Sequence, residues 1–134
     1  MSIYYEEIDG RMVLRKELVT SEAEEVARKL TEDRRNMISS AQLRRFYSDF
    51  KGLEKKQQSA QDQSSAFVST LPLIKMALSK AMYAKARKTV PVDFVKWIET
   101  HTKAINTLED FQAFMLHFEA VVGFCYGFGL KDSN

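Results

Sequence analysis

The stretch Phe67 to Lys88, FVSTLPLIKMALSKAMYAKARK, constrains the fold most. Stepped at about 100° per residue, Phe67, Leu71, Ile74, Leu78, Ala81 and Met82 fall on one side of a helix, and Leu73, Met76, Ala77, Tyr83 and Ala84 on a second. A helix apolar on two sides is expected at the centre of a bundle, with other helices around it. Pro72 falls in its first turn or kinks it, because proline donates no backbone hydrogen bond and its ring crowds the preceding turn. The closing turns carry Lys80, Lys85, Arg87 and Lys88. These cations complement the negative end of a helix dipole and equally form a surface for anions.

The other helices follow from caps and spacing. Ser21 with Glu24 reads as a capping box opening a first helix, with Ala23, Val26, Ala27 and Leu30 on its apolar side. Ser39 with Gln42 opens a second, in which Leu43, Phe46, Tyr47, Phe50 and Leu53 keep the i, i+3, i+4, i+7 spacing. Gly52 weakens that helix, and the polar stretch Glu54 to Ser65 brings a break or a solvated extension. Thr89-Val90-Pro91 ends the 67–88 helix, since the residue before proline avoids helical torsions. A fourth helix follows from Val92, with Phe94, Trp97, Ile98, His101 and Ile105 on one side. A fifth starts after Asn106 or Thr107, with Glu109 and Asp110 in its first turn. Its core side is Phe111, Phe114, Met115, Phe118, Val121, Val122, Cys125 and Phe128, and Gly123 and Gly127 leave a smooth strip where another backbone could approach. Before the first helix, Asp9-Gly10 between two short apolar segments signals a hairpin.

The expected fold is therefore all-α: a compact bundle of about five helices around a central helix at about 66–88, with a short irregular or hairpin N-terminal arm. Residues 1–20 form that arm, short enough to be mobile, residues 21–130 a single helical domain, and 131–134 a tail. A chain of 134 residues suits one such domain. The single cysteine permits no internal disulfide, and no signal-peptide pattern is present, which points to a cytoplasmic protein. The longest apolar run, Ala120 to Leu130, is about half of the roughly 20 residues a membrane span needs.

The net charge of +2 is too mild to indicate a nucleic-acid partner by itself, but its distribution is uneven. Residues 34–103 carry 14 basic and 5 acidic side chains, whereas residues 1–33 carry 5 and 9, and residues 104–134 carry 1 and 4. On the second helix, Arg44, Lys51 and Lys55 project within about 40° of one another, with Ser48 between them. Arg45 differs, because Asp49 lies one turn on and can pair with it. On the third, Lys80 and Arg87 share a direction, Tyr83 lies beside them and Lys88 borders them. Such rows suit phosphate contacts without sequence readout. The aromatic residues follow core spacing, so no base-stacking platform is expected.

Signatures of catalysis are missing. There is no HExxH or Glu-x-x-His pair and no glycine-rich nucleotide loop, so neither a metal nor a cofactor is expected. His101 lies on an apolar face and His117 at the edge of one, and both read as core residues rather than ligands. Cys125 sits on the core side of its helix, where a free thiol behaves as a small hydrophobe.

Three segments carry a family resemblance. Ile38 to Phe50 (ISSAQLRRFYSDF), with a Ser-x-x-Gln cap followed by Leu-Arg-Arg-Phe-Tyr, resembles the small-subunit family of type III-A CRISPR effector complexes, the Csm complexes. Leu71 to Lys88 is similar to a second block of that family, with its Leu-Pro and its ending Tyr83-Ala84-Lys85-Ala86-Arg87. Phe111 to Gly127 resembles the closing block. The likeness covers roughly residues 20–130, and the arm before Ser21 matches nothing in it.

The resemblance implies a compact, helical, non-catalytic subunit acting in antiviral defence. Several copies would stack head to tail beside a filament of backbone subunits, along the guide RNA–target RNA, touching RNA backbone through basic side chains while the guide reads sequence. Its partners would be the backbone subunit, the large subunit and further copies of itself, with no membrane. The family's basic positions correspond to Arg44, Arg45 and Arg87; Lys51, Lys55, Lys80 and Lys88 join them on geometry, as parts of one strip shared by the second and third helices. Two alternatives stand beside this one: a helical adaptor for protein assembly only, and the related small subunit of type III-B complexes.

Overall fold

The computed structural model describes residues 2–132. It begins with a hairpin of β1 (Tyr5–Ile8) and β2 (Arg11–Leu14), followed by a 3-10 turn, Lys16–Val19. The helices are α1 (Ser21–Thr31), α2 (Ser40–Gln58), α3 (Gln63–Lys75), α4 (Ala77–Ala86), α5 (Val92–Ala104) and α6 (Leu108–Gly127). The expected all-helical bundle with an N-terminal hairpin is what the chain forms. Among the described residues no helix is long and apolar enough to cross a membrane.

The third expected helix is divided at Met76 into α3 and α4. The division is a local disturbance in one rod, because Met76 keeps right-handed torsions (φ −63°, ψ −18°), its N–H donates to Pro72 O at 3.1 Å, and Lys80 N–H donates to Met76 O at 3.2 Å. Lys75 fixes this point to the end of α5, its ammonium donating to Thr102 O and to Asn106 Oδ1.

The centre of the bundle is α6 and not the α3–α4 rod. Phe111, Phe114, Phe118, Val121 and Cys125 of α6 are buried, and the helix packs on α1, the 3-10 turn and α2. Phe50 from α2 meets Phe114 and Phe118 edge-on at 5.1 and 5.9 Å between ring centroids, and Trp97 of α5 meets Phe118 at 4.9 Å. The α3–α4 rod buries one row only, Phe67, Thr70, Ile74, Ala77, Ala81 and Ala84. Of its second apolar side only Ala77 and Ala84 join that row, while Leu73, Met76 and Tyr83 face outward, 46%, 49% and 65% exposed. An apolar residue at helical spacing reports a side but not that a neighbour covers it, and here none does.

Several ends differ from, or refine, the sequence expectation. Ser21 and Glu24 form no capping box: Thr20 precedes the first helical residue without a side-chain cap, and its hydroxyl instead donates to Lys16 O at 2.8 Å in the 3-10 turn. Ser39 does cap α2, its hydroxyl accepting from Gln42 N–H at 3.1 Å. Thr107 and Asp110 form a reciprocal capping box on α6. α2 runs unbroken through Gly52 to Gln58. There buried Gln57 accepts from the Thr70 hydroxyl at 2.9 Å and donates to Gln63 O, which folds α3 back along α2. A Cβ built at Gly123 or Gly127 would meet nothing within 4 Å, so among the described residues no backbone uses that smooth strip.

The hairpin has the register its turn demands. Ile8 pairs with Arg11 across Asp9-Gly10, and both turn residues have positive φ (51° and 78°), the pattern that matches strand twist. It is attached to the bundle by tyrosines: buried Tyr4 shares a 2.7 Å hydrogen bond with His101 Nδ1, and the Tyr5 hydroxyl donates to Glu109 O at 2.6 Å.

Candidate nucleic-acid interface

One backbone bond brings α2 beside α4. Ser39 N–H donates to Thr89 O at 3.3 Å, which ties the start of α2 to the turn after α4. Phe46 of α2 and Ala84 of α4 both line the cleft of about 560 Å³ that lies between the two helices. Gln42, Arg45 and Asp49 line it from α2, and Lys80, Tyr83 and Arg87 from the other side. Gln42 and Asp49 are seven residues apart, as are Lys80 and Arg87, so each wall is about 10 Å long.

The cations in this cleft form no ion pairs among the described residues. Arg45, Lys80 and Arg87 are exposed, and none has a carboxylate within ion-pair distance among the described residues. The expected pairing of Arg45 with Asp49 is therefore not made, although both line the cleft. Arg87 lies over the Tyr83 ring, its guanidinium carbon 5.7 Å from the centroid.

Lys88 follows at the end of α4 in a left-handed conformation (φ 65°). Thr89 N–H returns to Ala84 O at 3.0 Å and Lys88 N–H to Lys85 O at 2.9 Å, the paired bonds of a Schellman ending. That position ordinarily takes glycine, because a Cβ there crowds the backbone.

The predicted row on the other side of α2 has a different character. Arg44 pairs with Asp132 at 3.0 Å, and the Tyr126 hydroxyl and that carboxylate together hold its pKa above the usual arginine value. Lys51 pairs with Glu54 at 3.0 Å, which holds the ammonium above its ordinary range, and it lies 6.0 Å from the Tyr47 ring. Lys55 is exposed and free of ion pairs among the described residues. The single strip expected from Arg44, Lys51 and Lys55 joined to Lys80 and Arg87 is thus not assembled. The fold brings Arg45, Lys80 and Arg87 together, with Lys88 at the rim, and turns Arg44 and Lys51 toward the acidic groups of α6 and the chain end.

Sequence reasoning misses Gln42, Asp49 and Tyr83 as lining residues. Tyr83 is readable as lying beside Lys80 and Arg87, but its place in an apolar row assigns it to the core, and its 65% exposure corrects that assignment.

The histidines are held as neutral groups inside the bundle. Trp97 Nε1–H donates to His117 Nε2 at 3.0 Å, so the proton of His117 sits on Nδ1 and is donated to Leu18 O. Burial lowers the pKa of both imidazoles, that of His101 to about 3. Burial pushes the Cys125 thiol up to about 12.

A family model described as Csm2 Type III-A matches residues 14–128 of the chain. No curated protein and no solved structure matches it.

Proposed function

The chain belongs to the Csm2 type III-A family, the small subunits of type III-A Csm complexes, and from that premise we propose that it lies along the guide RNA–target RNA of such a complex and contacts RNA backbone without reading sequence. The match is to the type III-A family and extends over the α2, α4 and α6 segments that carry the resemblance. The observation that carries the RNA reading is the α2–α4 cleft, where three cations, Arg45, Lys80 and Arg87, face one acidic group, Asp49, and none of the three forms an ion pair among the described residues. Unpaired arginines and lysines attract phosphate and release its counterions, a sequence-independent source of affinity. Lys88 and Lys55 extend the same contact, while Arg44 and Lys51 take part once RNA phosphate displaces Asp132 and Glu54. In this reading the subunit performs no chemistry, acts in the cytoplasm in antiviral defence, and meets the backbone subunit, the large subunit and further copies of itself.

The test is target-RNA affinity of the assembled complex across a salt series, with wild type against Arg45→Ala plus Arg87→Ala. The variant is expected to bind all target sequences similarly more weakly, with the slope of log K against log salt reduced by roughly one for each phosphate that is no longer neutralised. Unchanged affinity and slope overturn the RNA contact.

A second reading, assembly through protein contacts alone, is favoured by the uncovered apolar residues Leu73, Met76 and Met82 on the α3–α4 rod and Ile8 and Met12 on the hairpin. It predicts that the arginine variant assembles and binds target as wild type, while Leu73→Ser plus Met76→Ser lowers the number of copies in the complex.

A further inference from the structure

The α2–α4 cleft is more than a basic surface, and we infer that it takes one unpaired RNA nucleotide, with the base stacked on Tyr83 and its phosphate against Arg45 and Arg87. This rests on the RNA-contact reading and adds to it a preference for unpaired RNA.

The cleft is built unequally along its length. At the end tied by the Ser39 to Thr89 bond stand Gln42, Arg45 and Arg87, two fixed charges and an amide, with no carboxylate among them. Asp49 stands seven residues beyond Gln42 along α2, with Lys80 across from it. A phosphate is attracted to the first end and repelled by Asp49 at the second, so a nucleotide enters with its phosphate toward Arg45 and Arg87 and its base toward Asp49.

Tyr83 lies between these ends. Its ring is 65% exposed, although it adjoins buried Ala84 in sequence and lines the cleft wall. Arg87 lies over the ring, so the aromatic and the guanidinium together offer a surface for a base. Such surfaces accept any base, because every base has a π face, and they require that the base be out of a duplex stack. The volume of about 560 Å³ lies within the range of small-ligand sites and exceeds what a bare phosphate contact needs.

The experiment is fluorescence anisotropy at low salt with the full chain and two labelled probes: a short single-stranded oligoadenylate, and an oligomer of the same length with a tetrahydrofuran spacer in place of each base. Tyr83→Ala is expected to weaken the oligoadenylate complex roughly 5- to 150-fold and to leave the baseless oligomer unchanged, while Tyr83→Phe restores binding. Arg45→Ala is expected to weaken both probes alike. If Tyr83→Ala has the same effect on both probes, or none, the nucleotide pocket is overturned while the backbone reading stands on the Arg45→Ala result. If Arg45→Ala and Arg87→Ala also change neither probe, or if neither probe binds, both fall.

Discussion

Lowering the pH from 7 to 5 is expected to destabilise the fold by about 2 kcal/mol through His101 alone. In the unfolded chain this imidazole takes a proton near 6.5, whereas in the bundle burial and the neighbouring His117 ring keep it neutral down to about 3. At pH 7 both states are neutral and the histidine contributes almost nothing. Below 6.5 the unfolded state gains a proton that the folded state refuses, so stability falls with the slope of one proton, about 1.4 kcal/mol per pH unit, until about pH 3. The pKa of His117 is lowered in the same direction, first by burial, and because its Nε2 accepts from Trp97 a second proton there would set two donors facing each other. Its contribution adds to that of His101. Ordinary carboxylates remain ionised over most of this window, so the effect is separable from general acid unfolding. Urea unfolding followed by Trp97 fluorescence at pH 7, 6 and 5 measures it. His101→Gln, which keeps an acceptor for the Tyr4 hydroxyl and cannot be protonated, is expected to remove about one proton from the slope. Equal stability at pH 7 and 5, or an undiminished slope in His101→Gln, refutes the reasoning.

Three further outcomes follow from the same geometry. Lys88→Gly is expected to raise stability by about 0.5–1 kcal/mol in thermal or urea unfolding, because glycine adopts the left-handed torsions without crowding, while RNA affinity falls as a cation is removed. Asp132→Asn is expected to increase RNA affinity at low salt by up to about 5-fold with little change in the unfolding midpoint, since its pair with Arg44 is exposed and screened by solvent; unchanged affinity would show that Arg44 does not reach RNA. Phe50→Ala is expected to cost about 3–5 kcal/mol in urea unfolding, whereas Leu73→Ser on the uncovered side of the α3–α4 rod stays within about 0.5 kcal/mol. A large destabilisation at Leu73 would return that rod to the centre of the bundle.

How far the sequence alone leads depends on whether a feature is local. The Asp9-Gly10 hairpin, the Ser39 cap, the α2 spacing and the Thr107 start of α6 are readable because each is decided by side chains a few residues apart. The Ser21 capping box misleads because the competing 3-10 turn engages Thr20 with Lys16, and nothing in the spacing announces that turn. The centre of the bundle is misplaced for a different reason. Both α6 and the α3–α4 rod offer large apolar residues at helical spacing, and only tertiary packing decides that Phe114 and Phe118 are covered while Leu73 and Met76 are not. The site shows the same limit: directions on one helix place Arg44, Lys51 and Lys55 correctly in a row, but which row of α2 faces α4 is set by the Ser39 to Thr89 bond, 50 residues apart in sequence.

That bond also accounts for how a chain of net charge +2 comes to present a cleft with three cations and one carboxylate. The surplus of cations in residues 34–103 is distributed over both flanks of α2. On one flank the acidic C-terminal segment returns along α2 as α6 and its tail, setting Asp132 against Arg44 and Glu119 near Lys51, and the local field cancels. On the other flank α4 comes from the same basic segment, so Arg45 meets Lys80 and Arg87 across a gap. Like charges on facing walls repel, and they persist because the backbone tie at Thr89 and the burial of Phe46 and Ala84 in the core hold the walls in place. An anion entering the gap relieves the repulsion and gains the attraction of each cation at once. A uniform redistribution of the same charges over the surface would abolish that effect, so moving one cation within α2, by exchanging Arg45 with Ser48, is expected to weaken RNA binding at constant net charge. Equal affinity after the exchange would show that net charge, and not the cleft, attracts the RNA.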